Sequence, residues 1–382
     1  GAKIDLSIFS KWYSQAGTPH IEIKRERKNS KFLLNISQKI NNEYSNLPIP
    51  IKMAFLDQGG HLVDFKINDS ILDKEHVYLL CNSKETIIIE CEEEKITPSF
   101  LRSFSAPVYL KTDLQEIDYL HILKYDNDAF NKWDAAQNLY FEYFIKNKDV
   151  TKLTDLLKSL ISSNSINNSL MSLLIELPSR ASLENLLDTV DPIDVFYKRQ
   201  SLMKEIALNL KTTLENVALH LAEDDIFLTK NQGHRSLLGK ILNYLVLIGS
   251  QIGIDLAKRF AISKNMTLSI SALKSLCLSD SKLVMPYLEE FYSNWKNNDL
   301  VLEKWFEIMS SINIEGEGLS FVKKLLKHKD FDNKNPNKLR SVLGTFQKEN
   351  IILFHSEDMS GYKFIAEQIS QIDKYNPQVA SR

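Results

Sequence analysis

The chain has 382 residues, 43% hydrophobic and 25% charged, which excludes a disordered or fibrous protein and calls for more than one hydrophobic core. Lys and Arg number 47 against 49 Asp and Glu, a formal charge of −2, so the basic field on which nucleic-acid affinity depends is missing. Only 12 Gly and 10 Pro are present, a composition that favours long helices over a loop-rich chain.

The opening GAKIDLSIFSKWY carries no apolar core between a basic end and small residues, so it is not read as a signal peptide. Up to about residue 112 the apolar pattern has period two. Ile21 and Ile23 alternate with Glu22 and Lys24, and Phe32, Leu34 and Ile36 share a face. Ile51 to Leu56, the turn Asp57-Gln58-Gly59-Gly60, and then Leu62, Val63 and Phe65 read as two strands of a hairpin. β-Branched runs follow at Val77–Cys81, Thr86–Glu90 and Val108–Lys111. Short strands at this spacing, with no long helix between them, predict a small antiparallel β-sandwich over residues 1–112.

From Asp113 the period becomes 3.6. Phe130, Trp133, Ala136, Tyr140 and Tyr143 form one stripe of a helix opening near Asp128. Apolar helical stretches recur near Leu153–Ile161, Leu183–Leu187, Phe196–Leu221, Leu237–Phe260, Tyr287–Trp295 and Phe321–Leu326. The Ile241–Ile248 segment is apolar on every side, which suits a helix at the centre of an array. The fold expected for residues 113–382 is a large all-α superhelical domain, an irregular solenoid of helix pairs. Asn335-Pro336 and Asn376-Pro377 each place an Asn cap before Pro at the first helical position. The second leaves one turn before the sequence stops, and this reads as a fragment of something longer.

No chemistry emerges from spacing alone. Among the 8 His no two lie three to five apart, so no helix face presents a zinc pair. Cys81, Cys91 and Cys277 make neither a disulfide framework nor a metal site and fit a reducing compartment. The Gly233–Lys240 run resembles a phosphate loop but has one residue too many and Ile241 in place of the magnesium-binding hydroxyl, and Asp126-Asn127-Asp128 lacks the Gly and Glu of a calcium loop. Trp133, Trp295 and Trp305 read as core. Glu92 to Glu94 read as a solvated edge, and His355 as a surface or capping residue that could pair with a carboxylate. The apolar run at Ile241–Ile248 is far short of a membrane span. A soluble, cytoplasmic protein is expected.

A series of motifs, in order, resembles the bacterial aminopeptidase N family of gluzincin zinc metallopeptidases. They are KWYSQAGTP (Lys11–Pro19), FLLNISQKI (Phe32–Ile40), LPIPIKMAFLD (Leu47–Asp57), FSAPVYL (Phe104–Leu110), DAFNKWDAAQ (Asp128–Gln137), DLVLEKWFEIMS (Asp299–Ser310), NPNKLRSVLGTF (Asn335–Phe346), HSEDMSGYKF (His355–Phe364) and NPQVASR (Asn376–Arg382). The resemblance implies the third and fourth domains of that family: the sandwich over 1–112 and the helical domain over 113–382, truncated at its C-terminal end. The family's His-Glu-x-x-His and Gly-x-Met-Glu-Asn motifs are absent from this sequence. The chain alone is therefore expected to be inactive and to carry no cofactor, with zinc held elsewhere in the parent enzyme.

In that enzyme the helical domain is implied to enclose the catalytic chamber and control entry of peptides, whose N-terminal residues are removed with broad specificity. Arg340, Gln378 and Arg382 match substrate-approaching positions. The implied partners are the N-terminal and catalytic domains of the same polypeptide and peptide substrates, without nucleic acid or membrane. Self-association of the fragment through its uncovered apolar faces is a further expected contact. The competing reading is a free-standing helical scaffold that binds peptides or proteins in a concave face.

Overall fold

A computed structural model describes residues 7, 9–28, 31–68, 72–163, 165–223, 228–279, 281–314 and 316–382. The chain divides into two compact units, residues 1–142 and 143–382.

In the first unit nine strands are described: β1 (His20–Lys28), β2 (Lys31–Ile40), β3 (Glu43–Tyr44), β4 (Ile49–Leu56), β5 (Lys66–Ile67), β6 (Glu75–Leu80), β7 (Lys84–Glu90), β8 (Thr97–Phe100) and β9 (Tyr109–Thr112). One sheet runs β5-β7-β2-β1-β9 with β3 beside β2, and the other β6-β4-β8. The alternation seen in the sequence sets the register. Ile23 lies opposite Ile36 and Leu34 opposite Ile87, all buried, and Ile49, Ile51, Met53 and Phe55 join them in one core from the other sheet.

Two expectations need correction. The sandwich is not wholly antiparallel, because β9 pairs with β1 in parallel. β9 returns to its sheet only after the chain has crossed through the other, so no hairpin constrains its direction. Nor do Leu62, Val63 and Phe65 form a strand. β4 is central in its sheet, paired with β6 over Ile49–Ala54 and with β8 over Met53–Leu56. Only its end is left for the returning arm, which makes the single Leu56–Leu62 bridge and a bond from Val63 N to the Phe55 carbonyl.

Helices Glu116–Tyr125 and Ala129–Lys146 follow, the last turn of the second belonging to the other unit. What fixes them to the sandwich is charged. Arg102, 1% exposed, donates Nη1 to Asp126 Oδ1 at 2.7 Å and Nε to Glu75 Oε1 at 2.8 Å. Asp126 also accepts from Ser99 Oγ at 2.6 Å. Buried Lys132 donates Nζ to the Leu123 and Lys124 carbonyls at 2.7 and 3.0 Å, closing the end of the first helix. Burial pulls its ammonium down to about 8. Swinging Arg102 inward requires Leu101, Ser103 and Phe104 to adopt φ of 54°, 57° and 53°, each costing about 1–2 kcal/mol outside glycine. Asp128, which caps the second helix, takes hydrogen bonds from Ser103 N and Oγ at 2.8 and 3.0 Å and holds the strained turn. The Asp126–Asp128 trio is thus a joint between sandwich and helices.

The described elements of the second unit are all helices. The Gln232–Leu247 helix is its hub, buried at Leu237, Leu238, Ile241, Leu242, Leu245 and Val246 and packed on Asn168–Leu174, Pro192–Glu223, Gln251–Ala261 and Met266–Leu276. The predicted single run Leu237–Phe260 is two helices. Gly249 takes φ 69°, and Ser250 caps the next helix by accepting from Gly253 N at 3.2 Å. No described helix is long and apolar enough to cross a membrane.

Candidate functional site

The surface carrying the three sequence-derived candidates is built by the last third of the second unit. Asn298 caps the helix Asp299–Ser311, and Trp305, Phe306, Ile308 and Met309 of that helix are buried. Trp305 is core as predicted, its Nε1 donating to the Leu288 carbonyl at 3.0 Å, whereas Trp133 and Trp295 are half-buried.

Asn335 accepts from the backbone N of Asn337 at 2.9 Å and of Lys338 at 3.4 Å, with Pro336 at the first position. The following side chains then divide. Lys338 turns inward, 7% exposed, and donates Nζ to Asp299 Oδ1 and the Asp330 carbonyl, both at 3.0 Å. Leu339, Val342 and Phe346 enter the core, and Arg340 is exposed.

At Arg340 the helix widens into a π turn, Arg340–Gly344. Two hydroxyls occupy carbonyls in this stretch: Ser341 Oγ donates to Lys338 O at 2.8 Å, and Ser310 Oγ to Val342 O at 2.7 Å. A Cβ on Gly344 would sit 3.2 Å from Arg340 Cγ, so the glycine leaves room for the arginine stem. Among the described residues Arg340 makes no side-chain hydrogen bond or ion pair. The π turn was not foreseen; Gly344, one turn beyond the arginine, is the only signal the sequence offers for it.

Gln378 and Arg382 lie in and after the five-residue helix Pro377–Ser381, both exposed. Asn376 accepts from Val379 N at 3.1 Å, the predicted cap. Tyr375 Oη donates to the Asn333 carbonyl at 2.8 Å and thereby ties the entry of this helix to the entry of the Asn335-Pro336 turn. The approaches to Arg340 and Gln378 are thus joined, and all three candidate side chains face solvent.

The remaining candidates are absorbed structurally. His355 pairs through Nδ1 with Tyr362 Oη at 2.5 Å rather than with a carboxylate, and Phe354 and Tyr362 flank its ring. Burial, then the charge of Arg180, lowers its pKa. Cys81, Cys91 and Cys277 are free thiols, Cys277 pushed up to about 12 by burial. Glu92 to Glu94 are exposed. Among the described residues no three His, Cys, Asp or Glu side chains are grouped to hold a metal ion, so the set does not fit zinc.

Residues 116–382 match a family described as a domain of unknown function (DUF3458_C) with ARM repeats, and residues 17–113 a family of unknown function with an Ig-like fold. Over 406 residues the chain is 27% identical to aminopeptidase N of Escherichia coli, covering 100% of this chain and 46% of that protein. It is 28% identical to aminopeptidase N of Caulobacter vibrioides over 99% of this chain and 45% of the relative. A crystal structure of Legionella pneumophila aminopeptidase A in complex with aspartic acid superposes with TM-score 0.85 at 29% identity, covering 98% of this chain and 45% of that one. The chain therefore spans somewhat less than half the length of these relatives, and the aminopeptidase N resemblance read from the motifs holds over its whole length.

Proposed function

The chain belongs to the ARM-repeat family matched over residues 116–382, and from that premise we propose that it is a non-catalytic part of a zinc-dependent aminopeptidase, lining the peptide chamber and controlling access to it. The observation that carries this reading is Arg340: an exposed guanidinium on a π turn, without a side-chain partner among the described residues, in a chain whose relatives are aminopeptidases over its full length. A guanidinium fork holds a peptide carbonyl or terminal carboxylate bidentately, and Gln378 and Arg382 extend the same polar surface.

Zinc, the water it activates and the group that grips the substrate amine are assigned to other domains of the longer polypeptide. Those domains and peptide substrates are the partners, in the cytoplasm. No catalytic step passes through this chain. On this proposal, Arg340→Ala in the intact enzyme lowers kcat/KM for oligopeptides by about ten- to a hundredfold, the loss of one charge-assisted pair. It leaves a small aminoacyl amide within about twofold. Steady-state kinetics on both substrates decides, and equal losses remove Arg340 from the substrate surface.

A further inference from the structure

The first unit contains a cavity of about 30 Å³ that the proposed role leaves unused. Phe100, Thr112, Tyr119, Asn131, Asp134 and Asn138 are among its lining, contributed by β8, β9 and the two following helices.

Its polar groups are out of balance. Asn131, 6% exposed, donates Nδ2 to the Phe100 carbonyl at 2.9 Å and to Ser99 Oγ at 2.6 Å. A carbonyl only accepts, so the amide cannot be reversed. Its Oδ1 is left buried with no hydrogen-bond partner. Three residues on, the Asp134 carboxylate accepts from Asn138 Nδ2 at 3.0 Å, and among the described residues no cation pairs with it. The Thr112 hydroxyl accepts from Leu114 N at 3.3 Å and lies 3.3 Å from Tyr119 Oη. The site is rich in acceptors and carries one uncompensated negative charge.

We propose that this cavity seats a monovalent cation of potassium size, held by the Asp134 carboxylate and the Asn131 amide oxygen. A water would satisfy acceptors but neutralise nothing, whereas a cation does both at the half-buried Asp134 carboxylate. A divalent ion of the calcium type draws on several carboxylates to balance its charge, and among the lining residues only Asp134 supplies one. The volume exceeds the roughly 10–15 Å³ that one water requires. Burial pushes the Asp134 carboxyl up to about 6, and a cation beside it would draw it back down.

The test is thermal unfolding of the full chain in KCl, RbCl, NaCl and choline chloride at matched ionic strength, with crystals grown in RbCl. The expected result is a Tm about 2–4 °C higher in KCl and RbCl than in choline at a concentration about five times the dissociation constant. Asp134→Asn abolishes the difference, and a rubidium anomalous peak lies in the cavity. Equal Tm values in all four salts, a rise in NaCl alone, or a rise that persists in D134N would overturn the proposal. If D134N does not fold, the rubidium peak decides: its presence supports the site, and its absence, with water alone in the cavity, sinks it.

Discussion

The two units close their helix ends with different chemistry. In residues 1–142 the buried polar side chains include Arg102, Asp126 and Lys132, and the joint between sandwich and helices is made of charges. In residues 143–382 the corresponding work falls mainly to neutral groups: Ser269 Oγ donates to the Ala261 carbonyl, Ser310 Oγ to Val342, and Asn350 Nδ2 to Ser310 and Ile312. Lys338 is the buried cation among the described residues there. Charged joints are specific but unforgiving, since removing one partner strands the other in a place water cannot reach. Arg102→Met therefore has the largest expected effect, leaving Asp126 with Ser99 Oγ and Asp128 N as donors but without the guanidinium that pairs with it directly. The first unit should lose about 3–5 kcal/mol. Hydrogen exchange should show lost protection in β8 and in Glu116–Tyr125. Unchanged protection there would mean the joint is not held by this pair.

Asn350→Ala is the matching change in the second unit. It uncovers two carbonyls at the end of the helix Asp299–Ser311, with donor distances of 3.2 and 3.1 Å at present. Unsatisfied neutral acceptors cost less than a stranded charge, so about 1–3 kcal/mol is expected, read as faster exchange in the last turn of that helix. A loss as large as that of R102M would erase the distinction between the two joints.

How much of this was legible follows from range. Period-two and period-3.6 patterns are local, so the sandwich, the change to helices and the Asn-Pro caps could be read directly. The parallel β1–β9 pair depends on residues almost ninety positions apart, and nothing local in Tyr109–Thr112 announces its direction. Compaction breaks between residues 142 and 143, well after the family matches change over at 113 to 116, because the Arg102–Asp126 joint ties the first helices to the sandwich. No sequence period reports an ion pair. At the candidate surface, Arg340, Gln378 and Arg382 came from motif resemblance, whereas within the π turn the Val342 carbonyl takes its hydroxyl donor from Ser310, a residue on another helix. The Asp134 and Asn131 cavity lay unnoticed inside a motif read for its apolar stripe.

The smallest expected effect tests whether strain in the two units is held in the same way. Met359 and Ser103 share a left-handed backbone, with φ of 60° and 57°. At Met359, 51% exposed, the neighbouring Asp358 accepts from Ser360 N, the first residue of the following helix, at 2.9 Å, and no hydrogen bond depends on the methionine side chain. Met359→Gly thus removes strain and no polar contact, and should stabilise the second unit by about 0.5–1 kcal/mol. Ser103→Gly relieves similar strain but gives up the Oγ bond to Asp128 at 3.0 Å, worth about as much. It should leave the first unit unchanged. Denaturant unfolding followed by unit-specific exchange separates the two. A gain of equal size at both positions would show that the Ser103 hydroxyl contributes nothing to its turn, and that left-handed strain is simply tolerated in each unit.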